Sequence, residues 1–248
     1  SLGSTAYFSL SIQRYEDLRN AWEKVEEKIL GRYNERNYLG AKALKILSLL
    51  NTKYIIANRE LKDENLLLKF KKNVDMLSFQ AQPIHYSLHI YENTRWLPRA
   101  FIVYRTKKII EQDKIIPYLL SDQFNPREEL VVEDKDAPSL EETGQSFTPA
   151  KIVSYTNTRV TIKAELTVPG YLVLSDLFYP GWEVYVDGKR GRIYRVNYLL
   201  RGVFLPSGKH EVIFQFTSRS FKIGGIISVV TLLGIIILGT GLIVKSRG

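Results

Sequence analysis

Cysteine is absent from the 248 residues. That excludes disulfides, thiolate metal sites and a cysteine nucleophile. Histidine is nearly as scarce, at three. His85 and His89 have the i, i+4 spacing that places two metal ligands on one helix face. They lie, however, in IHYSLHIY, where apolar and polar residues alternate as in a strand. At ~3.3 Å per residue a strand holds them about 13 Å apart, so the pair implies no metal site. The nucleophile-elbow, P-loop, dinucleotide-binding and HExxH patterns are also missing, and no cofactor is expected. There is no N-x-S/T glycosylation sequon. Acidic residues are the minority, 26 against 35 Lys and Arg, for a net charge of +9. Such an excess suits anionic surfaces or polymers. The basic residues are scattered and form no arginine-rich arm or nucleic-acid module, so nucleic acid is not an expected partner. There is no initiator Met and no signal-peptide pattern, which leads us to expect a piece of a longer protein.

What is present is ample apolar material, 45% of residues, enough for a core and too much for a disordered chain. Residues 5–12 suit a short strand or a loop. Tyr15 to Leu30 has Leu18, Trp22, Val25 and Ile29 on one helical face, with Gly31 as its C-cap. Asn37 to Leu50 reads as a second helix, apolar at Leu39, Ala43, Leu44, Leu47 and Leu50. Thr52 to Ala57 (TKYIIA) and Arg99 to Tyr104 (RAFIVY) read as buried strands. Leu66 to Phe70 and Asp75 to Phe79 are ambiguous. Thr106 to Leu120 reads as a helix disturbed by Pro117. The acidic segment 133–149 reads as a solvated linker rather than a calcium loop, because its spacing is not that of an EF-hand.

The second half is more regular. From Val160 to Val168, Val160, Ile162, Ala164, Leu166 and Val168 alternate inward against Thr161, Lys163, Glu165 and Thr167. Pro180-Gly181 marks a turn, after which Trp182, Val184 and Val186 alternate with Glu183 and Tyr185. Asp187-Gly188 is a hairpin signal, with Arg192 to Tyr198 as the expected return strand. Arg201 to Leu205 and a strand carrying Val212, Phe214 and Phe216 follow, giving an expected antiparallel meander. About seven short strands in this half argue for a sandwich. Ile223 to Val244 carries no charge and is long enough for the ~20 residues that cross a bilayer, and its glycines suit close helix packing. Flanking charge does not set its orientation. The fold class expected is therefore α+β: an N-terminal helix/strand region leading into an antiparallel β-sandwich, then one C-terminal transmembrane helix. The expected divisions are 1–148, 149–217 and 222–245.

The run YPGWEVYVDGK at 179–189, then NYLLRGVFLPSGKHEVIFQF at 197–216, then the apolar tail, resembles the C-terminal end of the bacterial YfhO family. LLNTKYIIA at 49–57 and WLPRAFIVY at 96–104 are also similar to it. The resemblance spans most of 39–244 and is strongest in 171–216. It implies a polytopic protein with a glycosyltransferase-like (GT-C) membrane region and an extracytoplasmic C-terminal domain. It further implies transfer of sugar from a lipid-phosphate carrier to a cell-surface glycopolymer, with catalysis outside this chain and this part non-catalytic. Implied partners are the lipid bilayer, the remaining transmembrane helices of the parent protein, and an anionic glycopolymer or lipid-linked sugar. The implied location is the cell membrane with the soluble domain extracytoplasmic. The alternative is a membrane-anchored, non-catalytic carbohydrate-binding or scaffolding module, which an assay for lipid-linked sugar turnover by the intact protein would separate from it.

Candidate site residues are few. Among carboxylates of the β region, Asp187 belongs to a turn, and Glu165, Glu183 and Glu211 take outward strand positions. Asp176 has no such structural role in the sequence pattern. Tyr171, Phe178, Tyr179, Trp182, Tyr185, Tyr194 and Tyr198 suit either a sugar-stacking face or ordinary sheet packing. The expected substrate-binding set is Asp176, Tyr179, Trp182 and Arg201, with no catalytic residue in this chain.

Overall fold

A computed structural model describes residues 14, 17, 41–58, 60–77, 83–141, 144–145, 147–217 and 223–235. The expected strand or loop at 5–12 and nearly all of the helix at 15–30 lie outside these residues. The first described helix, α1, is Ala41–Leu49. It buries Ala43, Leu44, Ile46, Ser48 and Leu49, while Leu47 and Leu50 are half-buried.

Three antiparallel strands follow: β1 (Tyr54–Ala57), β2 (Leu66–Leu77) and β3 (Pro83–Asn93), in the order β1-β3-β2. The two ambiguous stretches around 66–79 are thus one long strand. The expectation that 52–57 is a buried strand is corrected, because Tyr54 is 54% and Ile56 is 68% exposed. β1 lies at a sheet edge, and nothing described covers its outer face. An apolar run marks a strand but does not say whether a second layer covers it.

The central sheet has seven strands in the order β5-β6-β13-β14-β10-β4-β7. These are β4 (Ala100–Val103), β5 (Thr106–Lys108), β6 (Leu130–Val132), β7 (Thr148–Pro149), β10 (Gly170–Leu177), β13 (Tyr194–Val196) and β14 (Leu200–Leu205). It therefore draws strands from both sides of residue 148. The expected helix over 106–120 is shorter than its apolar pattern suggested. Thr106, Lys107 and Lys108 pair in parallel with Leu130, Val131 and Val132. Only Gln112–Leu119 forms a helix, α2, with Pro117 inside it. Lysine by itself favours helix, so the strand is decided by tertiary context: the edge of β6 offers these three residues a ladder.

The third sheet has the order β12-β11-β15-β9-β8. Its strands are β8 (Lys151–Tyr155), β9 (Arg159–Leu166), β11 (Trp182–Val186), β12 (Lys189–Arg190) and β15 (Gly208–Phe216). In β9, Val160, Ile162, Ala164 and Leu166 are buried between more exposed neighbours, as the alternation predicts.

The expected meander is corrected here. The strands are antiparallel, but β10 pairs β14 and β11 pairs β15. The chain crosses between sheets after β10, after β12 and after β14. The return strand expected at 192–198 is also corrected: the hairpin returns through β12 at Lys189–Arg190, which pairs β11, and within 192–198 only β13, Tyr194–Val196, is a strand, and it pairs β14 in the central sheet. Strands apolar on one face need a facing sheet, and crossing over supplies both layers of a sandwich.

The central sheet is buried on both faces. Ile102, Leu172, Leu174, Val203 and Leu205 pack against Val160, Ile162, Val184, Val212 and Phe214 of the third sheet. Phe101, Val103, Tyr171 and Val173 face the opposite way, toward Ile46 and Leu49 of α1 and Ile115 and Leu119 of α2. Strands covered on both sides read as continuous apolar runs, which explains AFIV and YLVL.

The segment after β6 is also corrected, from a solvated linker to a packed one. Arg14 donates to the Glu133 carboxylate at 2.7 Å and to the Tyr198 carbonyl at 2.8 Å. Burial pushes the Glu133 carboxyl upward while Arg14 pulls it down. Ala137 is buried, and the Tyr171 hydroxyl donates to the Pro138 carbonyl.

The Asp187-Gly188 hairpin forms as expected, joining β11 to β12 with φ of 51° and 77°, the left-handed pair that a type I′ turn requires. Asp187 also accepts from the Glu211 amide at 2.9 Å and meets His210 Nδ1 at 2.7 Å. Those contacts hold its carboxyl below the usual range. A Cβ at Gly188 would meet nothing within 4 Å, so the cost of substitution is that of the backbone alone. Gly188→Val is expected to destabilise the fold by about 1–3 kcal/mol, the range for a non-glycine residue forced to positive φ. An unchanged melting midpoint would show that the turn relaxes freely.

Residues 223–235 are helical, and the apolar side chains at Ile223, Ile226, Ile227, Val229, Val230, Leu232, Leu233 and Ile235 are exposed. No helix among the described residues is long and apolar enough to cross a membrane. The rest of the expected span, 236–244, lies outside the described residues.

Candidate functional site

The described cleft of interest opens at one end of the sandwich, where the chain passes from β10 in the central sheet to β11 in the third. The register of β10 against β14 slips between Leu174 and Leu177. Such irregularities re-aim side chains. The slip turns Asp176 toward Arg99, whose Nε and Nη2 donate to it at 3.0 and 2.9 Å. The Tyr155 hydroxyl joins the same carboxylate at 3.1 Å. Asp176 thus has a structural role that the sequence pattern did not reveal, and its partners come from β8 and from the residue before β4.

Arg201 shares the β14 face of Val203 and Leu205, which is the face between the two sheets. It takes a position where the pattern otherwise places an apolar residue. It is 4% exposed, and its guanidinium lies 3.8 Å from the centre of the Trp182 ring. Its Nε donates to the Leu177 carbonyl at 2.9 Å. Its Nη1 stands 3.8 Å from Asp176, an ion pair by distance, yet has no hydrogen-bond partner. Burial pushes the guanidinium pKa down to about 10, with Asp176 and Tyr155 opposing. Arg201 therefore stays cationic at neutral pH, held over an aromatic face in a poorly solvated setting where cation–π attraction is strongest.

Around this pair lies a cleft of about 260 Å³, walled by Tyr179, Trp182, Glu183, Arg190, Arg192 and Arg201 among others. The turn that leads into it is tight. Gly181 has φ 98°, and a Cβ there would stand 2.8 Å from the Phe216 ring, so this position requires glycine. Phe216 also backs Trp182 and Tyr179, with ring centres at 5.5 and 6.5 Å. Arg190 donates to Glu183 at 2.8 Å, and Arg192 is ion-paired with Asp134.

The fold thus gathers Tyr179, Trp182 and Arg201 into one wall, with Asp176 behind Arg201. Arg190 and Arg192 were missed. Their signal was two arginines flanking Gly191 directly after a hairpin. The other aromatics divide: Tyr171 and Tyr198 are buried in the core, and Tyr194 packs edge-on against Tyr171. Of the two histidines with ligand spacing, His89 is buried, bonded to the Ser87 carbonyl at 2.9 Å and stacked on Tyr91.

The wall combines aromatic surface with guanidinium groups. Aromatic rings suit the C–H face of a sugar, and guanidinium forks suit carboxylate or phosphate. Glu183 is the sole carboxylate among the lining residues, whereas glycoside cleavage uses two that flank the scissile bond.

Residues 128–228 match the family model described as "Bacterial membrane protein YfhO", which bears out the sequence resemblance over that span. Among solved structures, a match is the arabinofuranosyltransferase AftD from Mycobacteria, solved by single-particle cryo-EM. It is 21% identical, over 41% of this chain and 8% of that chain, with a TM-score of 0.30. This chain therefore spans a small fraction of that protein's length, and a likeness so slight carries no inference. No curated protein matches.

Proposed function

Taking residues 128–228 as a YfhO-family segment of a bacterial membrane protein, we propose that this chain is the extracytoplasmic part of a glycosyltransferase-like protein. In this reading its cleft holds an anionic saccharide, and sugar transfer from a lipid-phosphate donor is carried out elsewhere in the protein. The apolar stretch 223–244 crosses the bilayer and keeps the cleft near the membrane surface. The observation that carries the reading is Arg201, a buried cation with an unbonded Nη1 in an aromatic wall.

The roles divide by chemistry. Tyr179 and Trp182 offer apolar ring surface to a sugar. Arg201, with Arg190 and Arg192 at the rim, meets its carboxylate or phosphate. Asp176 is a positioning residue, holding Arg201 rather than touching ligand. Binding of this kind accelerates transfer only where it favours the transition state, and orientation of an acceptor is one such contribution.

The test is a titration of the full chain with an oligosaccharide rich in uronate, and with the same oligosaccharide after reduction of its carboxyl groups. Tryptophan fluorescence provides the readout. Arg201→Lys keeps the charge but loses the planar fork, and it is expected to weaken binding of the acidic form roughly tenfold, the worth of a charge-assisted bond. Tyr179→Ala should weaken both forms. Equal affinity for the two oligosaccharides, or a folded Arg201→Lys protein that binds as the parent does, would sink the proposal.

A further inference from the structure

On one face of the three-stranded sheet His89, Tyr91 and Asn93 of β3 are buried, although Leu68 beside Tyr91 is 46% exposed; among the described residues nothing covers the other face. Direct cross-strand partners share a face. Tyr54 and Leu67 both stand opposite Glu92, and Ile56 and Phe70 both stand opposite Ile90. A register shift between Leu68 and Phe70 adds a residue to β2, which is why Leu67 and Phe70, three apart in sequence, point the same way. On this face Tyr54 is 54%, Ile56 68%, Leu67 50% and Phe70 46% exposed. The residues of β3 that point the other way, His89 and Tyr91, are 2% and 3% exposed. A sheet that buries its polar histidine and displays isoleucine, leucine and phenylalanine has an unmet apolar surface.

Cations rim that surface. Lys69 pairs with Glu92 at 2.8 Å and Lys53 approaches the same carboxylate at 3.7 Å. Lys53 also lies over the Tyr54 and Trp96 rings, at 5.4 and 5.0 Å. Lys71 and Lys72 are exposed farther along β2. Lysines on an edge strand also discourage pairing between chains, and that alone accounts for their presence. It does not account for four exposed apolar residues on one face beside them.

We propose that this face, Tyr54, Ile56, Leu67 and Phe70 with its rim of Lys53, Lys69 and Lys72, rests on the surface of a bilayer containing anionic lipid. Aromatic and aliphatic side chains enter the headgroup boundary, and lysines extend their ammonium groups to lipid phosphates while their stems lie along apolar surface. An anionic leaflet attracts such cations with a strength that falls as salt rises. The proposal uses the membrane context of the family and is independent of the cleft.

The absence of cysteine gives a clean test. Full-length Ile56→Cys and Lys189→Cys proteins, each carrying one environment-sensitive fluorophore, are reconstituted into vesicles of phosphatidylcholine with or without phosphatidylglycerol. Lys189 lies in an exposed hairpin of the third sheet and serves as the control. A nitroxide carried on the lipid headgroup is expected to quench the label at position 56 several-fold more than the label at 189, in anionic vesicles, with the difference reduced by salt and by Lys69→Glu with Lys72→Glu. Equal quenching at the two positions would overturn the proposal, as would equal quenching in neutral and anionic vesicles. Burial of the position-56 label in lipid-free detergent solution that rises with protein concentration would also overturn it, by assigning the face to a second copy of the chain. Measuring Phe70→Cys in parallel guards against a local effect of one substitution.

Discussion

Asp176→Asn is expected to destabilise the fold by about 3 kcal/mol, the low end of the cost of removing one member of a buried ion pair. Asparagine keeps the shape and can still accept from Arg99 and Tyr155. It cannot balance the charge of Arg201, which is 4% exposed and already pushed down to about 10 by burial. Urea denaturation followed by circular dichroism measures the loss. The double variant Asp176→Asn with Arg201→Met should recover part of it, because the uncompensated charge is then gone. A loss within about 0.5 kcal/mol, the range for an ordinary surface change, would mean that Arg201 does not depend on Asp176. The role of Asp176 would then lie with ligand rather than with the fold.

Phe101→Ala should cost about 3–5 kcal/mol, as deletion of a large ring from a core that relaxes only partly. Phe101 is 0% exposed on β4 of the central sheet, between β10 and the edge strand β7. It packs against Phe147 with ring centres 5.1 Å apart. Its side chain is in the layer facing α1 and α2, opposite Ile102 in the layer between sheets. The thermal midpoint is expected to fall by roughly 10 °C for a domain of this size. A fall of a degree or two would show that the helical side of the sheet repacks around the cavity.

Legibility varied with how local the cause was. The β9 alternation, the Asp187-Gly188 turn and the runs AFIV and YLVL were readable because period and turn chemistry act over a few neighbouring residues. Thr106 to Lys108 was misread because its strand partner, β6, is distant in the chain and the following apolar residues carried a helical period. TKYIIA was read as buried because an apolar run looks alike whether or not a layer covers it. Arg201 was legible as a candidate but not as a buried cation, since its burial depends on β14 facing the third sheet.

By itself, the sequence determined the strands of the second half, their tight turns, the long uncharged tail and the likeness to the YfhO family. Each of these is carried by contiguous residues. Only the tertiary structure decided which sheet each strand joins, that Asp176 and Arg99 meet across 77 positions, and that the face of Tyr54, Ile56, Leu67 and Phe70 stays open. Pairing between distant segments depends on which apolar faces find one another, and that is a property of the whole packed chain rather than of any stretch within it.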